Sequence, residues 1–291
     1  MAGFNGVASL VNRMLFDGAV SITSWRKTPV VATSAGFWMD LSMSPGNPRP
    51  NYYAAAPLVA SRLAQSTDGG IFHGASIAPR TKHLKTLVAL CPTAGGVPLP
   101  MRLCDYLLFY PFVDESLIDE EQTMDNSVVL SRSVSGDGVQ IMPVVVAGHG
   151  VGTGTFFTVR YTNQDGVPNR VTTSAQLGTQ VVNGTIATGG VGASRFAPFL
   201  PLQAGDTGVR SIEGVTFTGL PEVGLLTLVL VRPLGNISIR GIDAPVEVDF
   251  MLDRMSLPRV EDDAYLNFIA HAGGSLSGAN LLGTAEFIWS S

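Results

Sequence analysis

Apolar positions near the start of the chain recur with a helical period. Val7, Leu10, Val11, Met14 and Leu15 stand at i, i+3, i+4, i+7 and i+8, which predicts an amphipathic helix. A strand-like stretch around Val30 and Val31 follows, and after it the group Phe37, Trp38 and Met39. In residues 42–53, SMSPGNPRPNYY, three prolines and a glycine exclude regular structure. A short helix is expected over 52–65, with Pro57 in its first turn or breaking it. Residues 1–65 therefore read as an N-terminal helical and proline-rich arm or anchor.

From about Ser66 the signals are those of strands. Runs such as FFTVRYT, GVTFTG, LLTLVLV and NISIRGI are β-branched or aromatic, short, and separated by Gly, Pro, Asn and Asp. Turn residues are dense, in GDG, NQDGVPN, VNGT, AGDTG and GLPEVG among others. Strands do not alternate with long helices, which disfavours a doubly wound α/β fold. The expected fold is mainly β, a β-sandwich or jelly roll.

Two stretches suggest an internal repeat. LLFYPF (107–112) resembles VLVRPL (229–234) at an offset of 122, and LSRSVSGDGVQIM (130–142) resembles LPRVEDDAYLNFI (257–269) at 127. Arg132 falls on Arg259, and a glycine-rich loop and another apolar run follow in both places. The repeat points to two tandem related β-sandwiches, a first region over 66–165 and a second over 166–291.

Composition changes the picture in one respect. Of 291 residues 45% are apolar and 14% charged, against roughly 25% charged in an ordinary soluble domain, and the mean hydropathy is +0.28. No run is long enough for a membrane helix: the purest, Gly224–Leu234, is short of roughly 20 residues and carries Arg232. The first residues lack the features of a secretory signal, so a cytosolic site of synthesis is expected. The apolar excess then points to surface buried against other subunits. Net charge is −5, and the only lysines are Lys27, Lys82 and Lys85, which argues against a nucleic-acid groove. Cys91 and Cys104 are too few for a disulfide framework and are expected reduced and buried.

Candidate chemistry is sparse. The stretch VVVAGHGVGTGTFFTVRY (144–161) looks at first like a phosphate-binding loop. Counting five on from Gly148 or Gly150 gives Thr153 or Thr155 instead of glycine, no lysine follows, and the β-type flank is a poor helix start. It reads as a hairpin loop. His73, His83, His149 and His271 have no helical metal-ligand spacing, and no nucleophile elbow occurs. The acidic runs at 114–125 and 259–263 lack the order of a calcium loop, although adventitious Ca²⁺ or Mg²⁺ binding at the first stays open. No catalytic residue, metal site or cofactor is expected.

Several phrases together carry a resemblance: MDLSMSPGNPRPNYYAAAPL (39–58), FTVRYTNQDGVPNRVT (157–172), FLPLQAGDTGVRSIEGVTF (199–217) and SLPRVEDDAYLNFIAHAGG (256–274). They resemble structural virion proteins of tailed double-stranded DNA bacteriophages. The resemblance implies a non-enzymatic capsid decoration or cement protein on the capsid surface, whose partners are the major capsid protein and neighbouring copies of itself, as a trimer. A tail or collar component, such as a receptor- or carbohydrate-binding β-protein, is the alternative. Leu10, Met14, Trp25, Phe37, Trp38, Tyr52 and Tyr53 are the expected contact residues, since aromatics and Met are enriched in interface cores. An ordinary intrachain core is the competing role for the same side chains.

Overall fold

A computed structural model describes residues 4–93, 96–148, 154–178, 182–188, 196 and 198–290. His149 and most of the glycine loop around it lie outside the described residues. The chain opens with helix α1 (Val7–Leu15) and strands β1 (Val20–Lys27), β2 (Trp38–Asp40), β3 (Gly46–Asn47) and β4 (Ser61–Arg62). A single helical turn, α2 (Gln65–Asp68), leads to β5 (Lys82–Leu90), β6 (Leu99–Asp114), β7 (Glu121–Thr123), β8 (Gln140–Ala147) and β9 (Thr155–Asn163). Then come β10 (Arg170–Val171), β11 (Ala175–Gln176), β12 (Val209–Gly219) and β13 (Leu225–Ile239). The last strands are β14 (Val246–Asp249), β15 (Arg259–Val260), β16 (Tyr265–His271) and β17 (Leu281–Trp289).

The protein is mainly β, with three antiparallel sheets packed as sandwiches. The central sheet runs β2-β16-β6-β13-β8, with β4 also on β6. One outer sheet runs β14-β5-β17-β1-β3, and the other β10-β9-β12-β7. The central strands β6 and β13 are long, and each is buried on both faces. That explains the near-continuous apolar run of β13, which is the pattern of a strand covered on two sides.

Three bulges set which side chain faces which core. On β6, Leu99, Met101 and Leu103 pack under the first outer sheet, against Trp25, Leu87 and Phe287. Farther along, Leu108, Tyr110 and Val113 pack under the second, against Phe157, Val159 and Phe217. A shift from odd positions to Leu108 and Tyr110 would turn the strand over, were it not that Leu107 is an extra residue between Tyr106↔Val231 and Leu108↔Leu230; a further extra residue at 111–112, between Tyr110↔Leu228 and Val113↔Leu226, keeps Val113 on the same face. On β13, Leu234 is the extra residue between Pro233↔Cys104 and Gly235↔Leu103. One face of the central sheet thus serves both outer sheets.

The other face closes on itself. Segment 184–187 bridges the two edge strands: Asp40 N–H donates to Gly184 O and Ile186 N–H to Trp38 O, at 2.7 and 2.9 Å. On its other side Val145 N–H donates to Thr185 O and Ala187 N–H to Pro143 O, both at 2.9 Å. The bridges Met39↔Thr185 and Val144↔Ile186 complete a ring. Inside it lies a third core, including Tyr53, Leu63, Cys104, Tyr106, Phe109, Met142, Ile186, Val231 and Tyr265.

The chain repeats itself in space, but the lobes are not tandem. Strands β5, β6, β7, β8 and β9 start at 82, 99, 121, 140 and 155; β12, β13, β14, β16 and β17 start at 209, 225, 246, 265 and 281, offsets of 125–127 residues. The pairings match as well. β6 pairs with β13; β8 pairs with β13 as β16 does with β6; β7 lies on β12 as β14 lies on β5. Each outer sheet alternates between the halves, so neither sandwich is built from one continuous segment. Strand pairs cross the divisions at 65/66 and 165/166.

Two local expectations are corrected. The strand expected near Val30 lies earlier, at Val20–Lys27, where β1 pairs with β17 over eight residues. The helix expected over 52–65 is extended chain with only α2 at its end. Tyr53 and Leu58 take φ of +55° and +60°, which a helix cannot hold, and Ala60 and Leu63 turn into two different cores.

Candidate interaction surface

The ring encloses a polar centre within its apolar core. Asp40, at the end of β2, accepts hydrogen bonds from Ser42 N–H (2.9 Å), Ser42 Oγ (2.6 Å), Tyr53 Oη (2.5 Å) and Tyr106 Oη (2.7 Å). Burial pushes its carboxyl above the ordinary value and the four donors oppose that shift. Nearby Lys27 is buried on β1 and donates to Ser44 O and Pro48 O at 3.2 and 2.8 Å. Burial lowers it to about 8, with Asp40 pulling the other way. A cleft of about 180 Å³ reaches Asp40 beside Met39, Met43 and Tyr52. That is below the ~300 Å³ at which small-molecule pockets begin. The arrangement fastens the proline-rich segment 42–53 to the ring.

A second polar centre lies where β6 and β13 cross between the lobes. Buried Asp105 and Arg132 form a paired contact, with Arg132 Nε and Nη2 at 3.1 and 2.8 Å from the two carboxylate oxygens. Arg132 also donates to Leu63 O and Tyr106 O, and Tyr265 N–H donates to Asp105. Burial raises the Asp105 carboxyl and Arg132 opposes it. Arg132 and Arg259, matched in the sequence repeat, both line the cleft of about 290 Å³ there, with Arg80, Lys82, Glu261 and Asp262. Buried Lys82 Nζ lies 3.0 Å from His73 Nδ1 and donates to Ala75 O at 3.0 Å. His73 Nε2 lies 3.0 Å from Ala264 O, and burial, with Lys82 beside it, lowers this histidine to about 4.

The outer surface carries the exposed apolar side chains. Helix α1 forms as expected, but its stripe is mostly uncovered: Leu10 is buried, while Val7 is 58%, Leu15 70% and the following Phe16 79% exposed. A groove of about 280 Å³ runs between Phe4, Val7 and Leu10 on one side and Met251, Met255 and Leu257 on the other. Leu252 and Met255 on that rim are 77% and 81% exposed. Arg13 ties the helix end down, through Trp289 O (3.4 Å) and Ser290 O (3.2 Å).

The seven expected contact residues divide. Trp25 packs on Phe268 at 4.5 Å in the first core, Phe37 is buried, and Tyr53 is inside the ring. Trp38 is half-buried beside His271 and under the Arg102 guanidinium, 5.1 Å from its ring. Tyr52 is exposed at 58% and Met14 half-buried, beside the buried Leu10. The structure therefore gathers Leu10 and Met14 on α1 and leaves the aromatics elsewhere. In the acidic run, Glu121 pairs with Arg160 at 2.7 Å and Asp114 accepts from Ser116 N–H. Among the described residues no group of three or more His, Cys, Asp or Glu is placed to hold a metal ion. Sequence reasoning missed the Asp40 centre and the 251–257 rim. For the rim, the apolar residues Met251, Leu252, Met255 and Leu257 set among the charged Asp253 and Arg254 were the available signal.

No protein-family profile and no curated protein matches the chain. Among solved structures, that of infectious bursal disease virus Gt strain is similar at 8% identity and a TM-score of 0.20, over 97% of this chain and 87% of that one. The VP2 subviral particle of infectious bursal disease virus is similar at 7% identity and a TM-score of 0.18, with the same coverage. Neither likeness is close enough to transfer a function.

Proposed function

We propose that this chain is a non-enzymatic virion structural protein, a decoration or cement protein that binds and stabilises a lattice of the major capsid protein. One observation carries the proposal: a protein with 14% charged residues leaves the apolar face of α1 and the 251–257 rim in solvent. Uncovered apolar surface of this kind marks a protein contact. The phage-like phrases and the antiparallel sandwich fold agree with it. In this role α1 seats on a neighbouring capsid subunit, and copies of the chain associate as a homo-oligomer.

Mass spectrometry of purified particles tests the proposal through copy number. A lattice-binding protein is present at on the order of hundreds of copies, as the symmetry of a shell requires. A count of about six to eighteen indicates a tail or collar component, and absence from particles overturns the virion role. Among the described residues, deleting 1–16 removes one buried apolar side chain, Leu10, from the fold. The truncated protein is expected to fold and to fail to attach; normal attachment excludes α1 as the contact.

A further inference from the structure

A buried arginine needs an acceptor or water for every N–H it carries. The Arg132 side chain is only 6% exposed, and its Nε and Nη2 are used inside the protein, on both Asp105 oxygens, Leu63 O and Tyr106 O. Its third nitrogen, Nη1, has no acceptor among the described residues. Unlike the indole Nε1 of Trp25, it is not sealed from solvent. The open space beside it is the cleft of about 290 Å³ that Arg132 lines. Two more guanidiniums line the same cleft. Arg80 is exposed and has no side-chain partner among the described residues. Arg259 donates through Nη2 to Glu261 Oε2 at 3.0 Å and keeps Nε and Nη1 without an acceptor there.

The carboxylates of the cleft are already engaged. Glu261 holds Arg259 and lies 4.0 Å from Arg232 Nη1, while Asp262 accepts from Ser76 Oγ and Ile77 N–H at 2.8 and 3.3 Å. Lys82 Nζ lies 3.9 Å from Asp262 and is occupied by His73 Nδ1, Ala75 O and Gly74 O, so it adds charge and no free donor. Arg80, Lys82, Arg132, Arg232 and Arg259 outnumber Asp105, Glu261 and Asp262, in a chain whose net charge is −5. Such an excess of cations around unpaired guanidinium N–H groups attracts an anion. Its shape follows from the donors. A carboxylate is satisfied by one guanidinium fork, as Asp105 is by Arg132, whereas donors from three side chains suit an ion with three or four oxygens.

We propose that this cleft binds a phosphate group, which Arg132 Nη1 meets from within and Arg80 and Arg259 meet at the rim. The bound group joins segments 78–82 and 131–132 of the first half to 259–262 of the second. Binding therefore stabilises the whole fold.

The proposal is independent of the virion role and is tested on the full chain by titration calorimetry and thermal unfolding in sodium phosphate, against sodium chloride at equal ionic strength. Phosphate is expected to bind saturably and to raise the unfolding midpoint, which chloride does not. Arg80→Gln and Arg259→Gln leave the buried Asp105–Arg132 pair in place, and each is expected to weaken phosphate roughly tenfold or more, the loss of a hydrogen bond to a charged group. Arg254→Gln, exposed and outside the cleft, is expected to bind as the parent chain does. Glycerol 3-phosphate as a second probe separates the two sources of the group. Tighter binding than the inorganic ion supports the site as one for a phosphate monoester, and weaker binding supports it as one for the free ion. No saturable phosphate binding, a midpoint shift that chloride reproduces, or an affinity unchanged in both cleft variants overturns the proposal.

Discussion

The first outer sheet keeps two lysines and a histidine buried around it, whereas the second keeps its charges at its rim. Lys27, Lys82 and His73 are covered and hold backbone carbonyls. In the second sheet Arg160 bridges Glu121 and Glu213 at 2.7 and 2.6 Å, and Arg170 meets Asp206 at 2.9 Å, where water reaches the arginines. The strand plan of the two lobes is the same, so the plan does not dictate the electrostatics. Buried cations demand fixed acceptors and answer to pH, while rim pairs are worth little and answer to salt.

The largest effects should ignore the difference between the lobes. Trp25→Ala under the first sheet and Phe217→Ala under the second should each cost about 3–5 kcal/mol, the usual loss for a buried aromatic. Because the halves interleave, calorimetry should show one transition moving in both variants; two transitions, with only one displaced, would mean that the lobes are independent. Arg132→Met should cost about 3 kcal/mol in urea unfolding, since it leaves Asp105 buried without its cation. A loss under 1 kcal/mol would show that water already reaches that carboxylate.

Acid separates the lobes. His73 is lowered to about 4 in the fold, so below about pH 6.5 the unfolded chain takes a proton that the folded chain refuses. Its contribution is complete above pH 6.5 and declines as the pH falls to 4, a loss on the order of 2–3 kcal/mol. Urea midpoints across that window should flatten in His73→Gln. Asp206 loses its contribution in the same direction but in a lower window: Arg170 holds it down to about 2, so its contribution is present above the ordinary carboxylate range and is lost progressively as the pH falls towards 2. Smallest of all, Arg160→Ala should cost about 0.5–1 kcal/mol at low salt and less in concentrated salt. A salt-independent loss would place that arginine in packing instead.

What the sequence revealed and what it hid follow from one physical distinction. Period and side-chain type report which face is buried, and α1, β9, β12 and β17 show themselves in that way. They do not report the partner across the ladder. Arg132 and Arg259 marked the repeat, yet the LLFYPF match at an offset of 122 was four residues from the strand offset of 126, because a short apolar run closing on proline can be aligned in more than one register. β1 was hidden for another reason: Ile22 faces water at 68% exposure while Lys27 is buried, so its polarity runs against expectation. VNGT (182–185) looked like a turn, and is one at Gly184, but the residues after it close the ring. The Asp40 centre draws on tyrosines 13 and 66 positions away, a separation no local pattern carries.

The closed ring also bears on edge-to-edge pairing in a chain so poor in charge. Segment 184–187 covers the central sheet at Trp38–Asp40 on one edge and at Pro143–Val145 on the other, where another molecule could otherwise extend it. In the outer sheets the flanking strands β3, β7, β10 and β14 are only two, three, two and four residues long. Such short strands are poor templates in themselves, but β3 covers β1 only at Arg26 and Lys27, so among the described residues the stretch Val20–Trp25 has no strand beside it on that side. The margin of the first outer sheet is therefore where an added strand would find its place.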